Sequence, residues 1–385
     1  MFKLLKWLMS SCAILLLVIS LYSCGGSGTP AATGTLDIKL TDAATPLYQA
    51  VYVTINEVHV HHETGGWEIL TSPELALPQT VNLLELVNGV MLDLGIVELE
   101  AGHYNQMRLI LEDSEEVLDS QDPPDNDILG KAHPYFNYLV DADDNEIPLK
   151  VPSGGNTGIK LVNGFDIVAD RANELVLDFD AHRSIVEKGN GNYGLKPTIK
   201  VLETVDNTVS GTVEREEDNT PLGGALVSAQ VYNPDAEDLR DEVFVESTTE
   251  TTPDGTYTLL LPLNTYNIVA TAEGYLPACQ VLEAEWYFDN DDADFTLTLA
   301  DEIRSINVTV AGMDTEEDTA LLSFRQTQKC GEGDVMIEVA SMNVTNGVYP
   351  ISLPAGTYDV VASAVEKTTQ RAAGIDLTAD LNFTF

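Results

Sequence analysis

One phrase, written three times, limits what this chain can fold into. Residues 259–272 read LLLPLNTYNIVATA and residues 351–364 read ISLPAGTYDVVASA. Gly255, Tyr257, Pro262, Thr265 and Tyr266 recur as Gly347, Tyr349, Pro354, Thr357 and Tyr358, every pair 92 residues apart. A fixed offset of that size marks a repeated unit of domain size rather than a short solenoid repeat. A looser third copy, ELEAGHYNQMRLIL at 98–111, keeps Leu99, Gly102 and Tyr104. Each copy joins an apolar strand end to a turn rich in Pro, Gly or Asn, and a Tyr opens the next strand. Gly and Asn accept the positive φ of tight turns, and Pro pre-sets the entry. A Tyr ring buries well while its hydroxyl reaches a backbone carbonyl. The phrase predicts a hairpin packed into a sandwich, and the chain predicts several β modules in series.

The rest of the sequence agrees with that pattern. TLDIKLTD places Leu36, Ile38 and Leu40 on one face, with Asp37 and Lys39 on the other, as a half-buried strand requires. VYVTINEVHV alternates too, but its apolar parity slips at Asn56-Glu57, which predicts a β-bulge. TVNLLELVNG predicts a short helical turn. PYFNYLVDADDNEIPLKV predicts a hairpin with an acidic turn. Turn signals every ~8–12 residues are those of all-β sandwiches. A length of 385 residues allows two to three domains at ~150 residues each. The expected fold is all-β, in tandem sandwich modules at 34–204, 205–300 and 301–385.

The first residues read as an address. Lys3 and Lys6 precede an apolar run from Cys12 to Tyr22, the length of a signal core and short for a membrane span. LYSCGGSG then resembles a bacterial lipobox, with Leu21 three before Cys24 and Ser23 directly before it. The resemblance implies a signal peptide at 1–23, cleavage before Cys24, a diacylglyceryl group on its thiol, and a palmitate-type anchor. Gly26, not Asp, follows, so the resemblance points to the outer membrane rather than inner-membrane retention. The alternative is a plain secretory signal with an incidental Cys. CGGSGTPAAT at 24–33 would be a flexible tether.

Charge narrows the partners. The chain holds 62 acidic and 19 basic residues, a net charge of −43, and removing the leader would leave −45. Such a surface repels nucleic acid. It suits divalent cations, basic partners or saline water. Past the leader and Cys24, only Cys279 and Cys330 remain. They could pair in an oxidising envelope, but sequence does not tell whether their Cα atoms come within ~7 Å.

The second module resembles the carboxypeptidase regulatory-like, transthyretin-type sandwiches through Gly211, PLGGALVSA at 221–229, Asp254-Gly255-Thr256-Tyr257 and LPLNTYNIVATAEGY. The third module is similar to the second, and more diverged. This resemblance implies non-catalytic accessory domains with a transthyretin-like or immunoglobulin-like fold, in a group that also includes starch-binding modules. The first domain is similar to bacterial lipoproteins carrying the domain of unknown function numbered 4382, through GTLDIKLTDA, VYVTINEVHVH, VNLLELVNG, LEAGHYNQMRL and LVLDFDAHRSIV. That implies an envelope location and no particular activity.

Chemistry-bearing sets are few. There is no P-loop spacing, no G-x-S-x-G and no H-E-x-x-H. His59 and His61 share a strand face ~6.6 Å apart and could offer two imidazoles to a metal, or end a solvent-facing strand. Asp178 and Asp180 share the face opposite Leu175, Leu177 and Phe179. They could bind calcium through oxygen ligands, accept backbone hydrogen bonds, or pair with Arg183. DADDNE at 141–146 and DNDDAD at 289–294 resemble calcium-loop fragments, but Glu146 and Pro152 stand where a Gly and a bidentate Glu belong, which favours plain acidic turns. Trp286 and Tyr287, with Trp67, could form a glycan platform, or be core. The sequence therefore predicts a non-enzyme with no required cofactor. Its expected role is a lipid-anchored envelope module for binding or spacing, with an envelope protein or glycan as partner. Carbohydrate binding and calcium-dependent adhesion are the alternatives.

Overall fold

The computed structural model describes residues 32–385 apart from 44, 76, 113–134, 152–158, 162–163, 203–206, 285–291 and 316–317. Among the described residues nearly every element is a strand; the exceptions there are a helical turn at Leu83–Glu85 and the short helix Ala181–Ser184. The turn falls inside TVNLLELVNG, and the bulge is present. Ile55 pairs with Leu111 and Glu57 with Ile110, so the register skips Asn56.

Three hydrophobic cores follow one another along the chain. The first runs from Leu36 to Val201, the second from Val209 to Leu297 and the third from Ile306 to Phe383. In the first, the strand Thr33–Ala43 lies between Leu92–Glu100, antiparallel, and Ala172–Asp180, parallel. Leu36, Ile38 and Leu40 point into the core, as their alternation demands. A second sheet crosses below, built on the pairing of Ala50–His62 with Gly102–Leu111.

The other two cores share one plan. A sheet ordered Thr256–Leu261, Asn207–Arg215, Phe295–Leu297 faces one ordered Val243–Glu250, Leu226–Tyr232, Asn264–Thr271, Ala278–Ala284. In the third core, Gly347–Pro354, Ile303–Ala311 and Leu381–Thr384 face Gly333–Val344, Ala320–Cys330, Tyr358–Ala364 and Gln370–Ile375 in the same order. The constant 92-residue offset is thus a repeated sandwich.

The thrice-written phrase is not a hairpin, which corrects the local expectation. Thr256–Leu261 and Asn264–Thr271 belong to different sheets, as do Gly347–Pro354 and Tyr358–Ala364, and Leu92–Glu100 and Gly102–Leu111. Each phrase is a corner where the chain crosses from one sheet to the facing one. Such a corner has no ladder of its own to hold it. The Tyr supplies the missing bond: Tyr104 donates to the Glu100 carbonyl at 3.0 Å, Tyr266 to Pro262 at 3.1 Å and Tyr358 to Pro354 at 2.7 Å. All three rings are 1% exposed. Periodicity alone could not separate a corner from a hairpin, because both read as strand, turn, strand.

Tyr358→Phe keeps the ring and removes the corner bond. It is expected to lower the unfolding free energy by about 1–2 kcal/mol, as befits a buried carbonyl left without a donor. A shift of the urea midpoint, with the slope unchanged, reads this directly.

The three modules are not strung out in series. Ile185–Glu187 of the first pairs in parallel with Gly333–Val344 of the third, Val186 opposite Asn343 and Glu187 opposite Val344. The C-terminal sandwich therefore docks back on the N-terminal domain.

Candidate functional site

The densest polar chemistry lies where the three modules meet. Ala172–Asp180 runs into the helix Ala181–Ser184, whose first turn is capped by Asp180, accepting from the Arg183 amide at 2.9 Å. Arg183 then reaches into the third module and donates to Glu338 Oε1 at 2.9 Å. Glu338 is 8% exposed. Ser323 donates to its second oxygen at 2.5 Å. The second module closes the site with Gln230, whose Nε2 donates to the Glu338 carbonyl and whose Oε1 accepts from the Glu338 amide, both at 2.8 Å. Burial pushes the Glu338 carboxyl up, and Arg183, Ser323, Ser341 and Arg325 together outweigh that and bring it below the usual carboxylate range.

A second ionic set lies beside the first. Arg325 donates to the Leu239 carbonyl at 2.8 Å and meets Glu242 at 3.3 Å. Arg371 bridges Glu242 at 3.5 Å and binds Asp359. His182 lies between Thr45 at 3.2 Å and Ser341 at 3.3 Å, and burial lowers its pKa, which favours the neutral ring. Cys279 and Cys330 form a disulfide across the second and third modules, with Cα atoms 5.0 Å apart. This answers the pairing question that spacing left open.

The seam between first and second modules rests on Asn88 and Lys200. Asn88 donates to the Glu250 carbonyl at 2.8 Å and accepts from the Thr258 amide at 3.1 Å. Its φ of 60° is left-handed, a conformation Asn tolerates. Lys200 donates to the carbonyls of Val245, at 3.1 Å, and Glu246, and to Glu246 Oε1 at 3.3 Å.

The residues singled out by sequence fall in separate places. His59 and His61 lie on Ala50–His62, while Asp178 and Asp180 lie on Ala172–Asp180 in the other sheet. His59 bonds Glu57 at 2.6 Å. His61 bonds Asn105 at 2.9 Å and packs edge-on to Trp67. Trp67 is 41% exposed, with the Arg108 guanidinium 3.9 Å above its ring. Among the described residues no group of three or more His, Cys, Asp or Glu could hold a metal ion. Asp141 accepts from the Asp143 and Asn145 amides at 2.9 Å and from the Asn145 side chain at 3.0 Å, so DADDNE folds as a self-bonded acidic turn. Cys24, Trp286 and Tyr287, and the start of DNDDAD, lie outside the described residues.

Asp178 and Asp180 are both buried, because the second and third modules cover the outer face of their strand. Burial raises Asp178 to about 7, against the opposing pull of Lys200. Asp42, one strand over, is also buried and pushed well up. Sequence reasoning missed Asp42, Asn88, Gln230, Glu242 and Glu338. Each sits in an ordinary strand or turn context, with partners more than a hundred residues away for most.

These features define a class: a multi-module all-β protein whose modules are locked together by buried polar contacts and one disulfide. Residues 33–197 match the family model of a domain of unknown function, DUF4382, and residues 208–318 match the carboxypeptidase regulatory-like domain. The two matches follow one another along the chain in that order. The second match runs past the second core into Ile303–Ala311 of the third. No curated protein matches the chain. Among solved structures it is similar to the Bacillus anthracis TIE protein, at 13% identity over 92% of this chain and 50% of that one, with a TM-score of 0.20. The chain thus spans half the length of that protein. It is also similar to the shaft pilin spaA of Lactobacillus rhamnosus GG, at 13% identity over 46% of this chain and 95% of that one, TM-score 0.20. A streptococcal ancillary pilin is similar at 9% identity over 91% and 98% of the two chains, TM-score 0.20. Among the described residues no helix is long and apolar enough to cross a membrane.

Proposed function

We propose that this chain is a non-catalytic bacterial envelope protein, anchored through an acylated Cys24, whose three modules form one fixed body that presents loops and sheet edges for binding. The observation that carries this reading is the locked junction. Gln230, Arg183 and Glu338 come from three different modules and satisfy one another. Buried polar groups so placed hold a shape more than they perform a reaction. The Cys279–Cys330 disulfide supports an oxidising compartment and hence export. The carboxypeptidase regulatory-like match supports an accessory rather than a catalytic role. Because the third module docks on the first, the body acts as a compact platform on its tether, not as a three-unit stalk.

The anchor is tested with Cys24→Ala in the full-length chain. Metabolic palmitate labelling and membrane fractionation should both be positive for the natural chain. Labelling should fall to background in the variant, which would accumulate in the membrane fraction with its leader uncleaved. A variant whose leader is cleaved and which is labelled as the natural chain is would refute the anchor.

A further inference from the structure

We propose that the seam between the first and second modules binds a single hard, oxygen-preferring metal cation, with Asp178 as its charged ligand and the hydroxyls of Thr41 and Thr248 beside it. A small cavity sits there, lined by Thr41, Asn88, Asp178, Thr248, Thr249 and Thr258 among others, with a volume of about 10 Å³. That is the space of one water-sized occupant.

Asp178 is 6% exposed. Among the described residues it has no hydrogen-bond or ion-pair partner, although it is a carboxylate, and the only nearby ammonium there is that of Lys200, its cross-strand partner. Lys200 has three N–H donors, and its three acceptors are the Val245 carbonyl, the Glu246 carbonyl and Glu246 Oε1. No donor remains for Asp178. Two further groups on the cavity wall are unpartnered: Thr248 Oγ1 and Asp42 Oδ2 are both buried without a hydrogen-bond partner. Thr41 donates its single proton to the carbonyls of Leu86, at 2.9 Å, and Val90, at 3.0 Å, so its lone pairs stay free to accept.

The cavity therefore offers oxygen acceptors and no free cationic donor, and the unpartnered Thr248 hydroxyl can turn a lone pair inward. A buried carboxylate in such surroundings needs a positive counterpart. Hard cations take carboxylate, hydroxyl, carbonyl and water oxygens together. The titratable groups facing Asp178 are Lys200 on one side and Asp180, Glu246 and Asp42 on the other, so the local balance stays negative without an added cation. Asp180 itself caps the Ala181–Ser184 helix, so the expected Asp178–Asp180 pair is not the ligand set.

The test uses the mature full chain with its disulfide intact, stripped with EDTA. Sodium, magnesium and calcium are titrated in turn at constant ionic strength, balanced with tetramethylammonium chloride. Calorimetry and melting temperature are read together. One of the three should give a single saturable site and a raised melting temperature. Asp178→Asn should lose that shift, and Thr248→Val should weaken binding at least tenfold. Asp141→Asn, on the exposed acidic turn, should leave it unchanged, which separates the seam from diffuse binding to the acidic surface. If no metal shifts the melting temperature, or if Asp178→Asn shifts as the natural chain does, the proposal is wrong. A metal-indifferent natural chain that is outlasted on heating by Asp178→Asn would identify a proton as the occupant and overturn it equally.

Discussion

Arg183→Ala lowers the stability of the whole chain by about 3–5 kcal/mol, the cost of breaking a buried ion pair from one side. The deleted guanidinium holds Glu338 from across a module boundary at 2.9 Å. Without it, the Glu338 carboxylate stays buried, with Ser323 and its backbone bonds to Gln230 still fixing it in place. Unfolding in urea should then separate into steps, as the third module loses its hold on the first. Replacing both partners by apolar residues, Arg183→Met with Glu338→Leu, should recover much of the loss, since no uncompensated charge remains. The difference between the single and double variants is the coupling between the modules. An Arg183→Ala chain that melts in one step, within 1 kcal/mol of the natural chain, would show that the junction does not hold the modules together.

The joint Cys279→Ser, Cys330→Ser variant should lose about 4 kcal/mol, from the chain-entropy relation for a closed loop of this size. The two cysteines are 51 residues apart in sequence. The loop they close contains the end of the second core and the start of the third, so the loss should appear at the seam between them. Amide exchange in Ala278–Ala284 and at the Cys330 end of the strand Ala320–Cys330 should rise first. Cys330 is 1% exposed, so dithiothreitol should reduce the bond slowly under native conditions and fast in urea. Equal midpoints for the oxidised and the doubly substituted chain would contradict this.

Much of the fold was legible because it is local. Alternation at Leu36, Ile38 and Leu40 marked a core-facing strand, and the parity slip at Asn56 marked the bulge. The three tyrosines were legible as repeated anchors, and each does reach a backbone carbonyl. That the strands on either side of each tyrosine part company into opposite sheets was not legible, since the turn residues are the same for both outcomes. The candidate site was least legible. Asp178 and Asp180 read as the polar face of a half-covered strand, but Leu175, Val176 and Leu177 are all buried, because other modules cover the outer face. Nothing within that strand encodes the covering. His59 and Asp178 looked alike as isolated ligands; only the sheet order shows that they sit in different layers. The lone pairing open to Cys279 and Cys330 needed the third dimension to become a bond.

The return of the last sandwich onto the first domain sets an order of events at birth. Glu338 follows Arg183 by 155 residues, a delay of about 8–30 s at ribosomal speeds of ~5–20 residues per second. Throughout that interval the newborn N-terminal half carries a naked strand edge at Ile185–Glu187 and a guanidinium with Asp180 beside it but without Glu338. An unpaired edge is a template for any other nascent copy nearby. A polypeptide stopped short of Gly333 would keep that edge for life, and crowding rather than unfolding would decide its fate.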